Sequence, residues 1–268
     1  MDVKKLTPAL GAVIEGVDLE SIDDSTFKDL HGALMVHGVV FLRDQQLTES
    51  GHRALAARFG TPTVYPLMKH FGGTEYLHHI EDTADSPPDA DGWHMDITWI
   101  ENPPCAAILY AMVIPPYGGD TMWADLHGVW DQMSPTMQET LRNLDVRHTP
   151  GDAFWTSVSR TFGDQVSELQ AAFPGAVHPL VCAHPVTGRT LLNLGGYFMD
   201  SIVGMHADES ALLLEWLRSR VEDPNLQLRW SWREGDVAIW DERRTVHRAL
   251  SDHYPRHRKM RRCTVDAP

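Results

Sequence analysis

The sequence predicts a mainly β protein with flanking helices, built on a sandwich or barrel core. Three observations lead there. Short β-branched and aromatic runs recur along the chain, among them Gly38 to Arg43, Ala106–Ile114, Val177–Ala183, Leu226–Trp232, Asp236–Trp240 and Arg261–Val265. Turn-forming residues separate them, most densely at Pro115-Pro116-Tyr117-Gly118-Gly119-Asp120. A few segments with helical start and stop signals interrupt the strand series.

Taken in order, residues 10–19 mix β-branched residues with two glycines and read as a strand with a bend. Residues 25–36 read as an amphipathic helix. Gly38 to Arg43 is a short buried strand. Thr48 to Phe59 is a helix with Thr48 and Ser50 as cap candidates and Gly60 as its stop. From residue 61 the texture turns to strand and loop, with strands at Ile97–Trp99 and Ala106–Ile114 and another, Thr121–Ala124, after the proline–glycine turn. Ser134-Pro135 starts a helix running to about Leu144, and residues 150–175 read as an irregular insert. Strands return at Val177–Ala183 and Thr190–Asn193. Asp208–Arg220 is a helix with acids in its first turn and arginines in its last. Leu226–Trp232, Asp236–Trp240 and Arg261–Val265 close the series. No repeat or linker divides residues 1–268, so one domain is expected.

Hydrophobic residues make up 43% and charged residues 22%, as in an ordinary soluble globular protein. A net charge of -14 argues against nucleic acid as a partner, because phosphate binding needs a basic surface. The exception is the basic group His253, Arg256, His257, Arg258, Lys259, Arg261 and Arg262 near the end of the chain, which is either a solvated face or a grip for a small anion. Cys105, Cys182 and Cys263 are far apart and odd in number, which fits neither a disulfide framework nor a cysteine zinc site. No apolar leader follows Met1 and no run approaches the ~18 apolar residues of a membrane span, so a cytoplasmic protein is expected, without a membrane partner.

Fifteen histidines make metal ligation worth testing. His-x-Asp occurs at His94-Met95-Asp96 and at His206-Ala207-Asp208, and His79-Ile80-Glu81 has the same spacing with the longer acid. Context separates them. Asp208 has a sufficient structural task as a helix cap. His79-Ile80-Glu81 opens an acidic segment without an obvious partner. His94-Met95-Asp96 runs into the apparent strand Ile97–Trp99, where residues i and i+2 share a face and an imidazole and a carboxylate converge. Two histidines and one carboxylate on one face form the ligand set of non-haem iron(II) oxygenases. His247, which follows the strand Asp236–Trp240 and lies 153 residues after His94, is the best third ligand, ahead of His178, His184 and His253. Arg258 and Arg262 follow His247 by 11 and 15 residues and supply guanidinium forks that match a carboxylate.

With these residues in place the sequence resembles the taurine dioxygenase/TfdA family of Fe(II)/2-oxoglutarate-dependent dioxygenases. The resemblance runs through Leu10–Leu19, Val39–Gln45, Trp93–Thr98, Gly118–Trp123, His178–Val181, His184–Gly188 and Gly235–Asp241, then His247, Arg258 and Arg262. It implies a double-stranded β-helix (jelly-roll) core and iron on His94, Asp96 and His247. It implies that Thr121 and Arg258 bind the distal carboxylate of 2-oxoglutarate, and that Arg262 faces both the cosubstrate and the anionic group of the primary substrate. His178 and His184 fall in blocks the family uses structurally. The implied reaction uses O2, hydroxylates a C–H bond of a small anionic substrate, and releases succinate and CO2. Relatives are commonly dimers or tetramers, so a homo-oligomer is implied as well.

The sequence also departs from the family. Trp-His-Thr-Asp becomes Trp93-His94-Met95-Asp96, and Trp-Asp-Asn-Arg becomes Trp240-Asp241-Glu242-Arg243, with an added carboxylate near the site. The polar positions that hold taurine fall on Tyr65, Met68 and Ala90. That less polar pocket points away from taurine toward an alkyl sulfate, an alkyl sulfonate or an aryloxyalkanoate. Three rival readings remain: a zinc hydrolase on the same ligands, a non-catalytic β-sandwich binding protein, and a same-family iron oxidase of an amino-acid derivative. A requirement for O2 and 2-oxoglutarate excludes the first, iron binding the second, and product identity the third.

Overall fold

The computed structural model describes residues 1–88 and 92–267. Two sheets dominate it. The larger has eight strands, in the order Asp2–Lys5, Ala12–Glu15, Val39–Leu42, Val237–Asp241, Ala106–Val113, Arg258–Asp266 and Thr61–Pro62, with His78–Asp82 also paired to Arg258–Asp266. The smaller has three, Gln227–Trp230, Thr121–Asp125 and Thr245–Ala249. Among the described pairings only Ala12–Glu15 with Val39–Leu42 is parallel.

The period-two alternation of strand side chains explains how the sheets pack. Phe41, Leu109, Ala238, Trp240 and Met260 of the larger sheet meet Trp123, Leu228 and Trp230 of the smaller. Phe41 stacks on Trp230 at 4.0 Å between ring centroids, and Trp123 meets Trp240 edge-on at 5.7 Å. Cutting one such ring to alanine costs about 3–5 kcal/mol. The alternate residues Val40, Leu42, Ile108, Ile239 and Val265 face the other way, against Leu30 and Leu34 of the helix Asp24–His37 and Leu55, Ala56 and Phe59 of the helix Glu49–Phe59. Both helices start where a side chain caps them: Asp23 accepts from the Thr26 amide, and Thr48 from the Gly51 amide. The result is the double-stranded β-helix that the resemblance implies. No helix among the described residues is long and apolar enough to cross a membrane.

Several sequence expectations are corrected. Residues 150–175 are not irregular. They form the helices Gly151–Phe162 and Val166–Ala172 around a short 3-10 turn, and Phe154, Val158 and Leu169 pack into an aromatic cluster with Trp99 and Phe198. Ile97–Trp99 is a turn rather than a strand, because Ile97 takes a left-handed backbone at φ 57°. Val177–Ala183 breaks at Leu180 into two strands of different small sheets. The helix after Ser134 stops at Leu141. Asp208 does not cap its helix: His206 is the cap residue, and its amide donates to Glu209 Oε2 at 3.1 Å. His79-Ile80-Glu81 is not partnerless, since it lies in the strand His78–Asp82, in register with Lys259–Arg261.

Candidate metal centre

His247 sits on the strand Thr245–Ala249 at the rim of the smaller sheet, opposite Trp123. His94 joins that rim by a two-way backbone bridge: its amide donates to the His247 carbonyl at 2.9 Å, and the His247 amide donates back at 2.8 Å. The rings therefore face one another, with centroids 4.2 Å apart. On its other side His94 bridges Gly196, which has φ 66° and lies so close that an added Cβ would stand 1.8 Å from the Trp93 carbonyl oxygen. Only glycine fits there. Asp96 projects from the turn beyond His94. Its Oδ1 lies 3.7 Å from His94 Nε2 and 3.9 Å from His247 Nε2. The pairing of His94 with Asp96 thus comes from a bridge followed by a turn, not from the strand periodicity expected. Met95 points away from them into the core beneath the smaller sheet, as its place between two site residues requires.

The residues fit a divalent cation. One atom from each of His94, Asp96 and His247 lies within 4.8 Å of the others, and all three side chains are buried. His94 Nδ1 donates to the Gly92 carbonyl at 2.9 Å, so the lone pair stays on Nε2, which faces the carboxylate. Burial pushes both imidazoles below their ordinary value, so both are neutral and able to ligate. Burial acts against the Asp96 charge, but the Arg262 guanidinium outweighs it and holds the carboxyl at about 2. Two imidazoles and one carboxylate on one side of a cation leave the other side open to exogenous ligands.

Two cavities flank the triad, and Arg262 lines both. Its Nη1 lies 3.1–3.2 Å from the two Asp96 oxygens. The smaller cavity, about 330 Å³, reaches His94 and His247 and contains Thr121 and Arg258. Arg258 is buried; its Nε donates to the Gly119 carbonyl at 3.1 Å, and its Nη1 stands 3.9 Å from Asp82. Thr121 Oγ1 accepts from Trp232 Nε1 at 3.0 Å. Because Arg258, Met260 and Arg262 alternate with Lys259 and Arg261, they share one face of their strand. Arg261 points the opposite way and donates to the carbonyls of Leu47 and Thr48. The basic tail is therefore neither a solvated face nor a single grip.

The larger cavity, about 650 Å³, opens on the other side of His94 and Asp96. Its walls include the aromatic side chains Tyr65, Trp99, Phe154, Tyr197 and Phe198. Of the three pocket residues expected from sequence, Tyr65 lines this cavity. Met68 does not: it stands 45% exposed on the helix Pro66–His70, outside the lining. Ala90 lies outside the described residues. Sequence reasoning missed Phe154, Tyr197 and Phe198. The helical spacing of Phe154, Val158 and Phe162 was the available signal for the first; nothing local marks Tyr197 and Phe198, which reach the site through the Gly195-Gly196 turn. His178 and His184 are structural, as expected. His178 Nε2 donates to the Thr98 carbonyl at 2.8 Å, and His184 Nε2 donates to Asp241 at 2.8 Å.

Comparisons with known proteins give the family. The family model described as taurine catabolism dioxygenase TauD, TfdA family matches residues 2–264. An alkylsulfatase of Acinetobacter baylyi is 33% identical over 271 residues, spanning 99% of this chain and 84% of that protein. An alpha-ketoglutarate-dependent sulfate ester dioxygenase of Pseudomonas putida is 31% identical over 271 residues, spanning 99% and 89%. The crystal structure of a taurine dioxygenase from Burkholderia xenovorans superposes with a TM-score of 0.82 at 34% identity, covering all of this chain and 91% of that one. The chain belongs to the TauD/TfdA family and is a dioxygenase dependent on alpha-ketoglutarate, that is, 2-oxoglutarate.

Proposed function

We propose that this enzyme hydroxylates a C–H bond of a small anionic substrate with an apolar body: an alkyl sulfate, an alkyl sulfonate or an aryloxyalkanoate. In this reading His94, Asp96 and His247 hold Fe(II), Thr121 and Arg258 hold the distal carboxylate of 2-oxoglutarate, and the larger cavity takes the substrate. The observation that carries it is the position of Arg262, on the wall common to both cavities and against Asp96. A cation there balances the negative charge of two anions gathered at one centre.

When bound, iron and 2-oxoglutarate supply the reduction of O2: one oxygen atom enters the substrate as hydroxyl, the other enters succinate, and CO2 leaves. The protein's share is placement and exclusion of water. Arg258 and Thr121 fix the cosubstrate in its cavity. Arg262 draws the substrate's anionic head toward the triad, and Tyr65 lies beside it. Trp99, Phe154 and Phe198 cover the apolar body and keep the reacting carbon dry. A carbon that bears an oxygen-linked sulfate would, once hydroxylated, collapse to an aldehyde or ketone and free sulfate. The alkylsulfatase and the sulfate ester dioxygenase among the relatives support this choice of substrates.

The test is a panel of alkyl sulfates, alkyl sulfonates and aryloxyalkanoates, assayed for substrate-stimulated succinate release with Fe(II), O2 and 2-oxoglutarate. At least one class should stimulate release well above the rate without substrate, with oxidised product matching succinate. Stimulation by taurine alone, or by none of the panel, would overturn the substrate reading.

A further inference from the structure

The turn that bears Asp96 belongs to neither large sheet, so something else must hold it. Two side chains from distant parts of the chain do. His178 takes the Thr98 carbonyl, and Glu242 Oε2 accepts the Asp96 amide at 3.0 Å. The other Glu242 oxygen accepts the indole Nε1–H of Trp240 at 2.7 Å. Trp240 is locked in the core, its strand paired on one side with Val39 and on the other with Ala107. A continuous line thus runs from the core indole, through a carboxyl side chain only 1% exposed, to the peptide of a candidate ligand.

The chemistry of that line is specific. Two of its partners are N–H donors, the Asp96 amide and the Trp240 indole, and each needs an acceptor. A carboxyl group offers an oxygen to each. A carboxamide would turn its own NH2 toward one donor and lose that contact. Where the resemblance has asparagine, this chain carries the longer Glu242.

We propose that Glu242 is a positioning residue that orients the Asp96 carboxylate toward His94 and His247 and thereby sets divalent-metal affinity. The proposal rests on the metal-centre reading above. The experiment titrates the metal-free protein with Mn(II), followed by electron paramagnetic resonance, and records the visible spectrum of the Co(II) form. Glu242→Gln should weaken Mn(II) binding about 10- to 100-fold, the range seen when partners of metal ligands are removed. It should also shift the Co(II) bands, a signature that a merely structural residue would not move, while the thermal midpoint of the metal-free protein changes little. Trp240→Phe cuts the other end of the line and should give a smaller loss of affinity. It decides the matter if Glu242→Gln does not fold. Wild-type Mn(II) affinity and an unshifted Co(II) spectrum in Glu242→Gln, or in Trp240→Phe where that variant alone folds, overturn the proposal. Failure of the wild-type protein to bind Mn(II) at all would instead overturn the metal centre.

Discussion

Replacing Arg258 with alanine removes a buried guanidinium whose roles in the pocket are separable. Its Nε–H is taken by the Gly119 carbonyl, which leaves the two terminal nitrogens free to grip a carboxylate as a fork. Its Nη1 also stands 3.9 Å from Asp82, itself largely buried on the cavity wall. Alanine therefore deletes the fork and leaves Asp82 facing an incoming anion. Truncating one partner of a buried charge pair costs about 2–5 kcal/mol, which corresponds to about a 30- to 4,000-fold rise in the 2-oxoglutarate Kd. Arg258→Lys keeps the charge and loses the fork, so its effect should be smaller. Calorimetric titration of 2-oxoglutarate into the Mn(II)-loaded protein measures both variants. The Mn(II) affinity itself should hold, because these Arg258 contacts go to Gly119 and Asp82 and not to the triad. Arg258→Ala with wild-type affinity for 2-oxoglutarate would refute the assignment of this cavity to the cosubstrate.

His94→Ala and Asp96→Ala should each abolish iron-dependent succinate formation, and full activity in either variant would sink the triad. Gly196→Ala forces a side chain into a left-handed backbone and against the Trp93 carbonyl, so it should destabilise by at least about 2 kcal/mol and weaken Mn(II) binding. An unchanged thermal midpoint would contradict that contact. His52 and His148 are held at about 3, chiefly by burial. Both stay neutral in the fold, whereas the unfolded chain protonates them below about pH 6.5. Their contribution to stability is therefore complete above pH 6.5 and is lost as pH falls toward 3, at about 1.4 kcal/mol per pH unit for each. Urea unfolding at neutral and mildly acid pH should show the loss in wild type and a flatter profile in His52→Gln. An identical profile would remove His52 from the account.

The long, regular strands were legible because burial on both faces leaves continuous β-branched and aromatic runs, as at Val39–Leu42 and Val237–Asp241. The strand His78–Asp82 was not, because its pattern is polar and its place follows from register with Arg258–Asp266, a long-range fact. The helix Gly151–Phe162 was hidden by glycines at both ends. At the site, spacing alone does not separate His94-Met95-Asp96 from His206-Ala207-Asp208; the sequence context, a distant third histidine in His247, and the following Arg258 and Arg262 do. His94 and Asp96 are brought together by a backbone bridge and a left-handed Ile97, long-range and local backbone facts that strand periodicity does not carry. The cavity walls resisted sequence reading most. Those of the larger cavity come from six separate segments of the chain, and the short helix Pro66–His70 turns Met68 outward from them.

The bridge between His94 and His247 has a kinetic consequence. It joins residues far apart in the chain, and the strand carrying Arg258 and Arg262 must insert between His78–Asp82 and Ala106–Val113, which precede it by about as much or more. Contacts of such high sequence separation form slowly, because the loop they close costs entropy before it is rewarded. The two halves of the centre thus come together only when the largest loops have closed. A partly folded chain presents scattered histidines and a lone carboxylate, not the pocket that in the proposed reading would gather a redox metal and an organic reductant in one place.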